Sequence, residues 1–246
     1  MFDIKLRHGL RALRDSPGNR RPLKSRETGW ARSCAAALAR LGVDPDAVSA
    51  ASVVFAIWGL AAFLWAGRFE GVTHSVVLFG AAAAIQLRLL CNLLDGMVAV
   101  EHGRGGPAGA VWNEFPDRIS DCLFLVGAGY CATQDGVDWA AAAGWLAALL
   151  AIMTAYVREL GRALGQTADF SGPGGKPQRM AVLTVVVIVS AIAEPHWLRS
   201  GSVIATGLAL IALLAAVTVI RRLLTLVARL APPQDDPMSD FRPGPR

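Results

Sequence analysis

Six apolar stretches, five of them long enough for a helix to cross a bilayer, leave this chain few folds to choose from. Roughly 20 helical residues at about 1.5 Å each cover the hydrocarbon core. Adequate runs extend from Ala47 to Ala66, Val76 to Val100, Ala108 to Cys131, Val137 to Val157 and Val203 to Leu226. The run from Met180 to Ala193 is the weak one. It is closed by Glu194 and Pro195 and predicts a short or tilted helix anchored at the interface by Trp197. A composition 54% hydrophobic and 17% charged agrees, since ordinary soluble domains are roughly 25% charged. The expected fold is all-α, a polytopic membrane protein with six transmembrane helices preceded by an N-terminal interfacial helix.

Charge gives the expected topology. Twenty of the 24 Lys and Arg fall on one side of a six-span arrangement, ten of them in the N-terminal segment through Arg40, and only Arg68 and Arg199 fall on the other. Positive residues collect on the cytoplasmic side. Both termini and the loop between the second and third spans are therefore expected in the cytoplasm. The net charge of +5 then reads as topology and attraction to anionic lipid, not nucleic-acid binding.

The chain divides into a basic segment 1–45, a membrane domain 46–230 and a Pro-rich tail 231–246 expected to be disordered. In the basic segment, Phe2, Leu6, Leu10 and Leu13 share a helical face opposite Arg7, Arg11 and Arg14, and GWARSCAAALARLGV forms a second amphipathic stretch. No apolar leader core precedes them, so a cleaved signal is not expected. Cys34, Cys91, Cys122 and Cys131 lie far apart, without zinc-site spacing, and read as buried small hydrophobes.

Against this apolar background the second and third spans carry polar side chains in register. At about 100° per residue, Arg88, Asn92, Asp95, Gly96 and Ala99 share one face of the second span. On the third, Gly109, Asn113, Asp117 and Asp121 follow one another at four-residue steps, with Glu114 beside them. A charge at mid-membrane costs on the order of 3 kcal/mol even on lenient scales, so such a concentration points to use. Carboxylate and amide oxygens are hard ligands suited to Mg²⁺ or Mn²⁺ bridging to a phosphate.

From Asp95 the chain reads D-G-x2-A-V-x8-G-x3-N-x3-D. With Asn92 this resembles the CDP-alcohol phosphatidyltransferase signature, D-x2-D-G-x2-A-R-x8-G-x3-D-x3-D, with every spacing kept. The lead-in GVDPDAVSAASV and the segments YVREL and GKPQRMAVL are also similar to that family, so the resemblance covers about residues 40 to 225. It implies a six-helix enzyme, commonly a homodimer, in which an alcohol attacks the phosphorus of CDP-diacylglycerol or a CDP-alcohol and CMP leaves. It further implies Asp117 as catalytic base, metal ligands among Asn92, Asp95, Asn113, Asp117, Asp121 and Glu114, and a nucleotide site at Gly96, Ala99 and Gly109.

Three positions depart from the signature: Asn92 and Asn113 replace Asp, and Val100 replaces Arg. The change removes two anionic ligands. Glu114, Asp121 or Glu101 could restore charge, and Arg104 could stand in for the missing cation; a rearranged two-metal site or a single metal is expected. Arg104, Arg158, Lys176 and Arg179 could bind substrate phosphate or merely mark cytoplasmic helix ends. A packing network is the plain alternative, with Arg88 on Asp95 and Glu114 on Arg118. A catalytically silent CDP- or lipid-binding relative and a small ion-coupled transporter are the competing functions. The acceptor alcohol stays open. The expected location is the inner membrane of a bacterium, with the active site cytoplasmic.

Overall fold

The computed structural model describes residues 28–101, 109–193 and 200–231. The amphipathic stretch expected at 2–13, His102, Arg104 and the C-terminal tail lie outside the described residues, as do the side chains of Val100, Glu101 and Asn113.

The described residues form seven helices and no strand. They are α1 (Gly29–Arg40), α2 (Pro45–Ala66), α3 (Gly71–Glu101), α4 (Gly109–Gln134), α5 (Ala140–Ala163), α6 (Lys176–Ala193) and α7 (Ser200–Leu230). Pro45 starts α2 because its fixed φ suits the first helical position, and the Asp44 carboxylate accepts the Asp46 N–H at 3.0 Å.

Five helices are long and apolar enough to cross a membrane: α2, α3, α5, α6 and α7. The expected weak span, now α6, qualifies because its helix begins at Lys176 and reaches 18 residues. Its predicted anchor, Trp197, lies outside the described residues. The sixth membrane-length helix, α4, has 26 residues but carries Glu114, Asp117, Arg118 and Asp121 in its first half and is absent from that apolar set. The chain is an all-α polytopic membrane protein whose most polar long helix sits inside it.

Side-chain size is sorted from inside to outside. Ala56, Ala62, Ala81, Ala84, Ala147 and Ala205 are buried, whereas Val54, Ile57, Trp58, Leu213 and Val227 face outward. In lipid, where apolar surface gains little by burial, small residues let helices approach closely. Gly129 of α4 meets Gly144 of α5 at such a crossing. A Cβ on Gly129 would lie 3.1 Å from the Gly144 Cα and 2.8 Å from the Ala140 carbonyl oxygen. Cys131 is buried, Cys91 and Cys122 are half-buried, and Cys34 is exposed, correcting the expectation of four buried thiols.

Helix α1 does more than lie at an interface. Ala31, Ala35 and Ala39, at four-residue spacing, pack against Leu93, Met97 and Val98 of α3, while Trp30 remains exposed. The stretch of α3 that contains Asp95 is thereby backed by α1.

Candidate functional site

The polar stripes of α3 and α4 are brought together mainly by their side chains, because the two helices touch over only a short length. Arg88, fully buried on α3, crosses the gap. Its Nη2 donates to Asp117 Oδ1 at 3.1 Å, to the Asp117 carbonyl at 3.0 Å and to Asp121 Oδ1 at 3.1 Å. The alternative packing network paired Arg88 with Asp95 along its own helix. Arg88 reaches across instead, where Asp117 and Asp121, one turn apart on α4, offer two carboxylates.

Asp117 is also held by its other neighbours. The Asn92 amide nitrogen donates to Oδ1, and the Lys176 ammonium at the start of α6 donates to Oδ2. Asp121, only 1% exposed, is bound on Oδ2 by Arg179 at 2.7 Å. Arg179 in turn donates to the Thr154 hydroxyl at 3.1 Å and the Gly174 carbonyl at 2.6 Å. Gly174 fits there because its backbone presses on α7: a Cβ would run into the Leu214 carbonyl. Its N–H donates to the Thr218 hydroxyl at 2.7 Å, which fixes the turn that delivers Lys176 and Arg179.

Asp95 stands apart from these pairs. It is 4% exposed, and its Oδ2 accepts the hydroxyl of Ser49 from α2. Its Oδ1 is buried without a hydrogen-bond partner. Unpaired buried carboxylate oxygens are costly, and a hard cation is one way to satisfy them. Among the described residues no three carboxylate, His or Cys side chains converge on one point. Mg²⁺, however, is commonly held by one or two carboxylates, with substrate phosphate and water completing its shell. Asp95, with its unpartnered Oδ1, is the carboxylate whose chemistry fits a divalent ion held in that way.

The remaining predicted residues divide. Gly96 and Ala99 are half-buried on the same part of α3, and a Cβ on Gly109 would meet none of the described residues within 4 Å. Glu114 accepts Arg118 at 2.7 Å, as its i, i+4 spacing suggested, and Arg158 of α5 at 2.6 Å. Helix α4 continues through Pro116. Of the predicted phosphate-binding residues, Lys176 and Arg179 turn to the carboxylates. Arg158 lies with its guanidinium 5.5 Å from the Phe170 ring centroid and borders a pocket.

That pocket is also lined by Gln166, Thr167, Asp169, Arg222 and Arg229. Arg222 is fixed by donating Nη1 to the Thr154 carbonyl at 2.7 Å and Nε to the Ser171 carbonyl at 2.9 Å. Burial acts to raise the Asp169 carboxyl, but hydrogen bonds from Ser171 outweigh it and hold the group below its ordinary value. Ser49, Thr154, Arg222 and Arg229 were not among the sequence-predicted site residues. The seven-residue spacing of Arg222 and Arg229, two helical turns, was the available signal.

No family model matches the chain. It is 26% identical over 195 residues to phosphatidylinositol phosphate synthase of Mycobacterium tuberculosis (strain ATCC 25618 / H37Rv), covering 77% of this chain and 82% of that protein. The enzyme of the same name from Mycobacteroides abscessus is 29% identical over 172 residues, with 66% and 70% covered. Among solved structures, the M. tuberculosis synthase in apo form has a TM-score of 0.65 at 25% identity, covering 79% of this chain and 95% of that one. The same synthase in complex with manganese and citrate gives 0.68 at 24% identity, covering 80% and 88%. With CDP-DAG bound it gives 0.67 at 24% identity, covering 80% and 92%. The chain thus has the helical membrane fold of these enzymes. In sequence it is similar to phosphatidylinositol phosphate synthases over about three quarters of its length.

Proposed function

We propose that the protein is a membrane-embedded CDP-alcohol phosphatidyltransferase, a divergent member of that family. It moves a phosphatidyl group from CDP-diacylglycerol to an alcohol and releases CMP. The observation that carries this reading is the meeting at Asp117, where the motif halves on α3 and α4 join through Asn92 and Arg88. The relatives named as phosphatidylinositol phosphate synthases and the fold shared with one that binds CDP-DAG support it.

In this reading Asp117 accepts the proton of the attacking hydroxyl. Arg88 and Asn92 hold its Oδ1 and so orient Oδ2, now on Lys176, toward the reacting group. Alignment of nucleophile and phosphorus, with neutralisation of developing charge, supplies most of the catalysis in phosphoryl transfer. A divalent ion at Asp95, when bound, supplies Lewis-acid stabilisation of the donor's pyrophosphate. Gly96, Ala99 and Gly109, at the small-residue positions of the motif, line the nucleotide site. Backing of this part of α3 by α1 keeps Asp95 in place.

The acceptor is an alcohol that already bears a phosphate, such as an inositol phosphate. The product named by the relatives supports this, together with the grouping of Arg158, Arg222 and Arg229 around one small pocket. Both termini and the site face the cytoplasm of a bacterial inner membrane, on the strength of the Lys and Arg distribution.

One observation favours a second reading. Every carboxylate oxygen of Asp117 and Asp121 already has a protein partner, which suits a silent relative that binds CDP-lipid without transfer. Incubating purified protein with CDP-diacylglycerol, Mn²⁺ and a panel of free and phosphorylated alcohols separates the two. Release of CMP that requires an acceptor supports the transferase; saturable CDP-diacylglycerol binding with no CMP from any acceptor supports the silent relative.

A further inference from the structure

The carboxylates at the centre are unequally served. Asp117 has Arg88 and Asn92 on Oδ1 and Lys176 on Oδ2, while Asp121 has Arg88 on one oxygen and Arg179 on the other. Asp95 is just as enclosed, yet its Oδ1 has no partner. Asp95 Oδ1 is therefore left without a partner and Asp95 Oδ2 has only the neutral Ser49 hydroxyl, whereas all four oxygens of Asp117 and Asp121 meet the chain's own cations.

The sequence offers a reason for this division. Asn at positions 92 and 113 withdraws two negative charges from the stretch in which Asp95 and Asp117 lie. Arg88, Lys176 and, at 3.9 Å, Arg118 bring three positive charges to Asp117, the first two in direct hydrogen-bond contact. A divalent ion placed on Asp117 would meet the first two at ion-pair range, and like charges at that distance repel strongly in a buried setting. At Asp95 the nearest partner is instead the neutral hydroxyl of Ser49. Lys176 is suited to a position next to a phosphate, because its ammonium has three donors and Asp117 takes one of them.

We propose that the site takes a single divalent cation, at Asp95, and that Lys176, braced by Arg88 through Asp117, occupies the place of a second ion. This rests on the transferase reading and deepens it. Asp95 would hold the metal, which would supply charge neutralisation to the donor's pyrophosphate, and the Lys176 ammonium would supply the neutralisation otherwise expected of a second ion. Lys176 differs from a metal in being part of the chain, so it stays at Asp117 when divalent ions are stripped away.

The test is a Mn²⁺ titration of the full-length protein in nanodiscs containing anionic lipid, with CDP present, following free Mn²⁺ by electron paramagnetic resonance. One Mn²⁺ per chain is expected. Asp95→Asn is expected to weaken it by at least about tenfold, the usual scale for a lost ligand contact, and Asp117→Asn to leave it within about threefold. Two Mn²⁺ per chain in the wild type, or equal loss in both variants, overturns the proposal. The wild-type count needs no variant to fold. As a second arm, Lys176→Gln is expected to lower CMP release at least about tenfold with the Mn²⁺ count still one, and Lys176→Arg to recover part of it. Recovery of Lys176→Gln by raised Mn²⁺, or unchanged CMP release, also overturns it. Absence of CMP release from the wild type counts against the transferase reading, whereas CMP release with two ions bound counts against this inference alone.

Discussion

At the end of α4 that carries Gly129, neighbouring helices meet backbone to backbone. At the end that carries Asp117 and Asp121, by contrast, α3 and α4 stay apart and side chains fill the gap. The first region is closely packed. Phe124 fills the space left by Gly59 so fully that a Cβ there would run into its ring. The second is a chain of charges, Lys176 to Asp117 to Arg88 to Asp121 to Arg179, drawn from three helices. Close packing fixes distances without chemistry. The charged half gives up that packing for groups that can meet a phosphate, and it depends on the packed half to keep them aligned.

This contrast can be broken at either end. Arg88→Met is expected to have the largest effect on folding, about 3–5 kcal/mol, because it leaves Asp117 and Asp121 short of a buried partner. Thermal unfolding in detergent, followed by thiol labelling of buried Cys131, measures it. If Arg88→Met unfolds like the wild type, the charged half is not holding the helices. Gly144→Leu, which overfills the Gly129 crossing, is expected to cost about 1–3 kcal/mol in the same assay, with loss of activity only in proportion to loss of folded protein. A folded but inactive Gly144→Leu protein would show that the two halves are coupled more tightly than packing requires.

Smaller changes sharpen the boundary. Ala35→Leu pushes α1 off Met97 and Val98, with an expected loss of about 1–2 kcal/mol and a raised KM for the CDP-linked donor at nearly unchanged kcat. Glu114→Gln removes a half-exposed carboxylate from Arg118 and Arg158, so its stability effect is expected to stay below about 1 kcal/mol. Its visible effect is on the acceptor: with Arg158 Nη2 freed while Nε stays on Glu159, KM for a phosphorylated alcohol is expected to fall and that for a neutral alcohol is not. Equal changes for both acceptors would remove Arg158 from the acceptor site.

How much of this was legible in the sequence follows from the range of each interaction. Apolar runs and four-residue stripes are local, so the long helices and the shared face of Asp117 and Asp121 could be read directly. The weakness assigned to α6 came from counting apolar residues from Met180, although a helix does not stop at Lys176 when the ammonium has a carboxylate to meet. Arg88 was placed on the correct face, but the partner offered in the alternative packing network, Asp95, was not the one it takes, since nothing local announces a carboxylate 29 residues away. Ser49, Thr154 and Arg222 were unreadable for the same reason: each gains its role from a helix far off in sequence. The docking of α1 was half legible. Its Ala31, Ala35 and Ala39 stripe is a protein-facing pattern that an interfacial reading passes over.

The central claim is that Asp117, held between α3, α4 and α6, serves phosphatidyl transfer. The most direct measurement is acceptor-dependent CMP release from CDP-diacylglycerol by purified wild type and Asp117→Asn, each checked for folding by thermal unfolding. The account predicts release by the wild type and a loss of about 10²–10⁴-fold in the variant, the range for removing a general base. Folded Asp117→Asn protein that releases CMP at the wild-type rate would contradict it.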